Sequence, residues 1–188
     1  MNFIKHSNLE GTHAPFAASQ AYWLRYDDER AVEVYNNLKA KEIGTRLHEW
    51  AKETIDLGIK QPRSRKTLYA YINDAIGFRM STEVVLYYSD NFFGTADAIS
   101  FRDGFLRIHD LKTGKIGKIE SHIEQLEVYA ALFCLEYKVK PSEIQMELRV
   151  YKNDEVIVHV PEAKDIRCIM DKIVHLNKVI EKMNFEEA

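Results

Sequence analysis

Two aspartates and a lysine, Asp97, Asp110 and Lys112, lie in a segment whose residue pattern is typical of a β-hairpin. Within it, the Asp103-Gly104 dipeptide separates two runs of β-branched and aromatic residues, which is a strong signal for a two-residue turn. This turn places Asp97 directly opposite Asp110, with Cβ atoms about 4.5–5.5 Å apart. Opposed carboxylates destabilise a half-buried sheet unless something neutralises them, and their oxygens suit Mg²⁺ or Mn²⁺. The hairpin therefore predicts a divalent metal site.

Two alternatives to this prediction stay open. One concerns the register of the hairpin, and the other concerns which group neutralises the two carboxylates. A three-residue loop with Gly104 in the left-handed conformation would shift the pairing by one and leave Asp97 diagonal to Asp110. Without any metal, Asp97 could cap the end of a strand while Lys112 forms an ion pair with Asp110. Strand alternation puts Asp97, Ile99, Asp110 and Lys112 on the same apolar face in the first register.

A histidine on a predicted helix is a candidate third ligand. The helix follows Asp28 and ends at Gly58, and His48 lies on the border of its apolar stripe with Gly44 one turn earlier. The missing side chain of Gly44 leaves room for a ligand, and imidazole is a ligand that Mn²⁺ accepts and Mg²⁺ tolerates. A partly exposed histidine without a role fits the same position. The apolar stripe consists of Ile43, Leu47, Trp50, Ala51 and Ile55.

A glutamine and a tyrosine lie one turn apart on another predicted helix, over residues 119–137. Gln125 and Tyr129 share one flank of its buried stripe, so their side chains are neighbours. Such a pair could bind a phosphate or hold the surroundings of Lys112. A tyrosine at the edge of the core explains the same spacing.

The elements that carry these residues predict an α/β (α+β) fold. The first third is helical, a mixed and mostly antiparallel sheet follows, and helices flank it. Further helices are expected over residues 66–79 and 162–183. The predicted strands cover residues 83–88, 94–101, 105–111, 145–151 and 155–160, and Asn153-Asp154 forms the last turn.

Length and composition bound the class of protein. The 188 residues are 46% hydrophobic and 29% charged, which favours one domain over residues 1–188 with a single core. No apolar run is long enough to span a membrane and no signal peptide is apparent, so we expect no membrane partner and a cytoplasmic location. Cys134 and Cys168 lack C-x-x-C spacing, which argues against a disulfide scaffold or a zinc ribbon. The net charge of −3 gives no bulk indication of nucleic acid.

Four short motifs follow one another along the chain: GTRLHE from Gly44, GTAD ending at Asp97, HDLKTGK from His109 and QLEVY ending at Tyr129. Together they resemble the PD-(D/E)XK nuclease superfamily, and more narrowly its RecB-type branch, which carries G-x-x-x-H, G-x-x-D, D-x-K and Q-x-x-x-Y in this order. The resemblance covers about residues 44–129. Ala96 stands where the name of the superfamily has proline. The resemblance implies a restriction-endonuclease-like core. It has a helical N-terminal region over residues 1–80, a catalytic core over residues 81–151 and a closing strand and helix over residues 152–188.

The resemblance also implies a metal site. His48, Asp97 and Asp110 would hold one or two Mg²⁺ or Mn²⁺ ions, with the carbonyl of Leu111 as a further ligand. Glu83 is a candidate for an additional carboxylate, although a solvated glutamate at the start of a strand fits its position better. The four cluster-binding cysteines of some RecB-like proteins are absent, so we expect no iron–sulfur cluster.

The remaining motif residues would act on the substrate. By resemblance, Lys112 would orient or deprotonate the attacking water, while Gln125 and Tyr129 would position the nucleic acid or support Lys112. Lys115 and Lys118 lie in a glycine-containing loop beside the predicted metal and are candidate DNA contacts, although a solvated charged face gives the same pattern.

The implied function is that of a metal-dependent DNA nuclease, an exonuclease or end-processing enzyme in recombination or repair in a phage or bacterium. Two alternatives stay open: a catalytically silent nuclease-fold module that binds DNA or a partner, and an endonuclease acting on RNA or branched DNA. No Walker-type G-x-x-x-x-G-K-[ST] motif is present, so a helicase or recombination partner would be a separate chain. Polarity, strand preference and oligomeric state are left open.

Overall fold

The structure, a computed structural model, describes residues 5–9, 11–12, 14–114 and 119–186. Within these ranges the helices are α1 (Asp28–Asp56), α2 (Thr67–Gly77), α3 (Ile119–Glu136) and α4 (Ala163–Glu186), with short 3₁₀ helices at Ser7–Leu9, Ala18–Arg25 and Pro141–Glu143. The strands are β1 (Ser81–Ser89), β2 (Phe92–Arg102), β3 (Phe105–Lys112), β4 (Gln145–Lys152) and β5 (Glu155–His159). These elements lie within a few residues of the predicted ones. None of the described helices is both long and apolar enough to cross a bilayer.

The chain divides into two compact units, Met1–Thr45 and Arg46–Ala188. In the first, the side chain of Asp27 accepts a hydrogen bond from the backbone N–H of Arg30 at 2.8 Å, which caps the start of α1. The second unit contains the end of α1, the other three α-helices and the described strands. A single domain over residues 1–188 stays a prediction.

The five described strands form one sheet in the order β1-β2-β3-β4-β5. β3 and β4 are parallel and the other neighbours are antiparallel, because α3 crosses between β3 and β4 while the other pairs are joined by hairpins. The predicted mixed, mostly antiparallel sheet flanked by helices is therefore confirmed. The finer assignment to a nuclease core stays a prediction.

The turn between β2 and β3 has the predicted geometry. Asp103 and Gly104 have φ values of 50° and 74°, as a two-residue hairpin turn with two left-handed residues requires. Arg102 consequently pairs with Phe105, and the register continues to the pair of Ala98 and His109. This is the register that brings Asp97 and Asp110 to the same level of the hairpin, and the shifted register of a three-residue loop does not occur.

Hydrophobic clusters cover both faces of the sheet. On one face, strand residues that include Ile99, Ile108 and Leu148 pack against buried residues of α3 and α4. On the other face, Ala98, Leu111 and Tyr151 pack against the last turns of α1 and against α2. Burying one leucine or isoleucine side chain contributes roughly 1.5–3 kcal/mol, so the two clusters fix the helices on either side of the hairpin. Of the predicted α1 stripe, Ala51 and Ile55 are buried while Ile43 and Trp50 are exposed, so the buried stripe is narrower than predicted.

The strand alternation around Asp97 differs from the prediction. Ala96 belongs to the cluster under α3 and Ala98 to the cluster under α1 and α2, although simple alternation would put both on one face. The neighbouring strand changes face at the same level, where Glu83 has a left-handed φ of 50° and the ladder omits the Glu83–Asp97 pair. That Asp97 shares the face of Ile99 stays a prediction. The change of face occurs at Asp97, between Ala96 and Ala98.

Candidate metal centre

Three potential ligands from three elements meet at the end of the hairpin that lies away from its turn. His48 of α1, Glu83 of β1 and Asp97 of β2 each offer a donor atom, and these atoms all lie within 4.8 Å of one another. Nδ1 of His48 lies 3.5 Å from Oδ2 of Asp97. Two carboxylates and an imidazole form a donor set that suits Mn²⁺ and tolerates Mg²⁺.

Asp97 is fixed by a hydrogen bond, and its surroundings disfavour its ionised form. Its Oδ2 accepts a hydrogen bond from the backbone N–H of Leu111 at 3.0 Å, and its side chain is 19% exposed. Burial raises the pKa of Asp97 to about 6, with a further contribution from repulsion by the carboxylate of Asp110, while His48 and the Leu111 N–H act in the opposite direction. A cation at this point would relieve the same repulsion.

Asp110 is the most deeply buried acid of the site, with its residue 2% exposed. Its Oδ1 accepts a hydrogen bond from Nζ of Lys112 at 2.9 Å, which is the ion pair that the sequence offered as an alternative to a metal. Its Oδ2 is also buried and has no hydrogen-bond partner among the described residues. A buried carboxylate oxygen without a hydrogen-bond partner lowers the stability of the folded chain. Oδ2 of Asp110 could therefore accept a contact from a further positively charged group.

The predicted ligand set and the observed cluster overlap without being identical. The prediction named His48, Asp97, Asp110 and the Leu111 carbonyl, whereas the group within 4.8 Å contains Glu83 and does not contain Asp110. Leu111 contributes its N–H to Asp97. Glu83 enters because its left-handed backbone interrupts the β1–β2 ladder beside Asp97.

Lys112 is fixed by a chain of hydrogen bonds to α3. Its Nζ donates to Oε1 of Gln125 at 3.1 Å as well as to Asp110. Nε2 of Gln125 donates in turn to the hydroxyl of Tyr129 at 2.9 Å. The predicted neighbours Gln125 and Tyr129 therefore contact each other and reach the hairpin lysine, because one helical turn separates them on the flank of α3.

Tyr129 also lies against the start of the GTAD motif. A Cβ built on Gly94 would lie 2.8 Å from Cε1 of the Tyr129 ring, closer than real Cβ atoms approach. A side chain at this position would therefore force the Tyr129 ring to shift. Because Gly94 and Asp97 are on the same strand, this contact fixes α3 relative to the end of β2 that carries Asp97.

The floor of the site is aromatic and buried. Tyr71 of α2 is 3% exposed, and its ring lies edge-on to Tyr151 at 5.3 Å between centroids. Burial raises the pKa of the Tyr71 hydroxyl, and the charges of Asp97 and Asp110 raise it further. A low local dielectric of this kind strengthens both the repulsion between the acids and their attraction to a cation.

Two polar residues beside Lys112, Lys152 and His122, were not predicted from the sequence. In the parallel pairing of β3 and β4, Lys112 lies opposite Lys152, a lysine only 4% exposed. Nζ of Lys152 lies 3.3 Å from Nε2 of His122 in the first turn of α3. Burial lowers the pKa of His122, and the charges of Lys112 and Lys152 lower it further. No local signal in the sequence reveals this group, because it depends on which two strands pair in parallel.

The candidate DNA contacts Lys115 and Lys118 lie outside the described residues. Comparisons of the chain with known proteins found no matching family model, no similar curated protein and no similar solved structure.

Proposed function

We propose that this chain is a metal-dependent nuclease with a restriction-endonuclease-like core, of the PD-(D/E)XK kind that its four motifs resemble. The observation that supports the proposal most directly is the pairing of a buried, half-partnered carboxylate, Asp110, with a lysine two residues later, beside the cluster of His48, Glu83 and Asp97. Asp97 and Asp110 repel each other and would be stabilised by a divalent cation, while Lys112 is held beside them by Asp110. A cation and an ammonium group at one place are the groups that hydrolysis of a phosphodiester bond needs.

The residues of the cluster have distinct tasks in this proposal. His48, Glu83 and Asp97 would hold the divalent cation. The buried Oδ2 of Asp110, which has no hydrogen-bond partner among the described residues, would also be stabilised by this positive charge. When bound, Mg²⁺ or Mn²⁺ supplies Lewis acidity toward the phosphate and lowers the pKa of a coordinated water. The irregular backbone at Glu83 serves this arrangement by turning a second carboxylate toward Asp97.

Lys112 is the proposed catalytic residue that acts on the water and on the phosphate. Its Nζ is held by Asp110 and Gln125, so the ammonium group is already oriented before substrate arrives. From this position it hydrogen-bonds the attacking water or the phosphate oxygen on which negative charge accumulates. Gln125 and Tyr129 act as positioning residues that keep Lys112 in place.

DNA is the proposed substrate, and cleavage from an end is the proposed mode. A silent nuclease-fold module and an endonuclease acting on RNA or branched DNA are the two competing outcomes. A panel of end-labelled linear duplex, single-stranded DNA, circular DNA and RNA, incubated with Mg²⁺ or Mn²⁺, distinguishes all three. Degradation of linear DNA with circular DNA intact supports the proposal, and nicked circles or cleaved RNA support the endonuclease.

Site variants make the assignment specific to this chain. We expect Asp97→Asn, Asp110→Asn and Lys112→Met to abolish cleavage while circular dichroism shows a retained fold. Asp103→Asn is the matched control, because it makes the same chemical change at the opposite end of the same hairpin, in a turn that asparagine accepts. Cleavage that survives Asp110→Asn, or a wild-type chain that binds Mn²⁺ and DNA without turnover, contradicts the proposed activity.

A further inference from the structure

A cavity of about 220 Å³ lies near the turn end of the β2–β3 hairpin, away from the proposed metal centre. Residues of β1, of the last part of β2 and of the end of α3 line it. Three aromatic residues and two arginines are among them, and none of the described residues that line the cavity is acidic. We call it the aromatic cavity.

Three aromatic rings pack together in this cavity. Phe133 of α3 is buried, and its ring centroid lies 5.1 Å from that of Phe101 and 4.8 Å from that of Tyr137. The two outer rings are nevertheless 42% and 55% exposed. The buried ring therefore supports two aromatic surfaces that remain open to solvent, and such surfaces stack with planar ligands.

Positive charge accompanies the rings. Arg79 and Arg102 are exposed, and neither forms an ion pair with a described residue. An Nη2–H of Arg102 donates to the backbone carbonyl of Arg79 at 3.4 Å, which joins the end of β2 to the turn after α2. Two guanidinium groups without a counter-charge thus line the cavity together, and they favour an anionic ligand.

The backbone at Arg79 is strained. It has a left-handed φ of 52° directly after Phe78, the C-cap of α2, where glycine is the usual residue. The Arg79 side chain forms no hydrogen bond or ion pair with a described residue that would offset this cost. An arginine in such a conformation points to a role for its guanidinium group outside folding.

A single strand of nucleic acid has the chemistry that matches the aromatic cavity. It carries planar bases and phosphates in alternation, whereas a duplex hides the faces of its bases. The location also suits the proposed substrate path. Phe133 lies on the same helix as Gln125, which holds Lys112, and is about 12 Å further along its axis. One strand can therefore contact both places.

We propose that the aromatic cavity binds single-stranded DNA, with bases stacked on Phe101 and Tyr137 and phosphates contacted by Arg79 and Arg102. This inference rests on the proposed nuclease function for the identity of the nucleic acid as DNA, and it adds a preference for a single strand. The cluster of rings and the arginines without ionic partners are properties of the chain alone.

The first test measures binding without cleavage, by fluorescence anisotropy with a chelator present. A short labelled oligothymidylate should bind more tightly than the same strand annealed to its complement. Tyr137→Ala should raise the Kd for the single strand about tenfold, while Tyr137→Trp retains an aromatic surface and should keep the affinity. Tyr22→Ala is the matched control, because Tyr22 is as exposed as Tyr137 but does not line the cavity.

The second test concerns charge. The double variant Arg79→Gln with Arg102→Gln should reduce the slope of log K against log salt concentration by about 1.4, at about 0.7 for each phosphate contact of a single strand. Arg167→Gln, which changes an exposed arginine of α4, is the control. Arg79→Gly separates binding from folding. It should raise the midpoint of thermal unfolding, because glycine adopts this φ without strain, and still weaken binding of the single strand.

The outcomes distinguish this inference from the proposed function. If the chain cleaves no DNA but Tyr137→Ala weakens binding of the single strand, the nuclease proposal fails and the binding site stands. If cleavage occurs while the tyrosine and arginine variants bind the single strand as the wild type does, the binding site is refuted and the nuclease proposal is unaffected. A wild-type preference for the duplex also overturns the inference. Should Tyr137→Ala lose its fold, the arginine variants decide.

Discussion

Tyr129 covers Gly94 so closely that a β-carbon on the glycine would lie 2.8 Å from Cε1 of the ring. The contact joins the GTAD motif of β2 to the QLEVY motif of α3, because the hydroxyl of the same ring accepts the hydrogen bond from Gln125. Gln125 in turn holds Lys112. We therefore expect a methyl group added at Gly94 to disturb the position of Lys112, the proposed catalytic lysine, through Tyr129 and Gln125.

We predict that Gly94→Ala displaces Tyr129 and lowers both stability and activity. The overpacked ring should cost about 1–3 kcal/mol of unfolding free energy, measured by urea denaturation. Cleavage should fall by more than the small fraction of unfolded protein explains. Gly77→Ala is the control, because a Cβ there meets nothing within 4 Å, and it should be neutral or slightly stabilising. A fully active Gly94→Ala variant would contradict the role assigned to Tyr129.

A second prediction concerns the cost of keeping Asp97 ionised. Its pKa in the folded chain is raised from 3.8 to about 6, so the unfolded chain loses this proton first as pH rises. Stability should therefore fall between about pH 4 and pH 6 and remain reduced above pH 6 in the metal-free protein. Asp97→Asn removes this penalty and should stabilise the metal-free chain by about 1–3 kcal/mol at neutral pH.

The check on this prediction is a pair of urea titrations in the presence of a chelator, one at neutral pH and one near pH 4. The stabilisation by Asp97→Asn should appear at neutral pH and vanish near pH 4, where the wild-type carboxyl is also neutral. Asp103→Asn, in the exposed turn of the same hairpin, is the control. Added Mn²⁺ should reverse the order, because the wild-type chain gains binding energy that the variant lacks. Equal stabilities at neutral pH would show that Asp97 carries no electrostatic penalty.

The hairpin acids and His48 could be predicted because their placement depends on local rules. Asp103-Gly104 fixes the turn, and the turn fixes which residues of β2 and β3 lie at the same level. The position of His48 follows from helical periodicity. Each of these signals lies within a few residues of the group that it positions.

The other residues of the site depend on contacts that no local pattern carries. Glu83 reaches Asp97 only because its left-handed backbone makes β1 and β2 change face together. Lys152 lies beside Lys112 only because β3 and β4 pair in parallel, with α3 between them in the sequence. The change of face at Asp97 could not be predicted for the same reason, since strand alternation assumes an uninterrupted ladder.

A third prediction uses the strained backbone of Glu83 to separate its charge from its conformation. Glu83→Gly should raise the free energy of unfolding by about 1 kcal/mol, because glycine adopts a φ of 50° without steric cost. Glu83→Gln keeps the strain and should leave stability close to wild type. Both variants should weaken Mn²⁺ binding measured by calorimetry. Unchanged Mn²⁺ affinity in both would remove Glu83 from the metal site, whatever the effect on stability.

The fourth prediction is that Lys112 and Asp110 are energetically coupled. Lys112→Met leaves the buried carboxylate of Asp110 without its ammonium partner, so we expect a loss of about 2 kcal/mol in unfolding free energy. Asp110→Asn removes the charge and should cost less. The double variant should be more stable than the sum of the two single changes indicates, because the unpaired charge is no longer buried.

The measurement for this pair is a double-mutant cycle by urea denaturation with a chelator present, repeated with Mn²⁺. Lys140→Met is a suitable control, since the ion pair of Lys140 with Glu143 is largely exposed and should contribute little. In Mn²⁺ the cost of Lys112→Met should shrink, because a cation near Asp110 replaces some of the lost positive charge. A cycle with no coupling would contradict the pairing of Asp110 with the lysine, and a coupling that Mn²⁺ leaves unchanged would separate Asp110 from the metal.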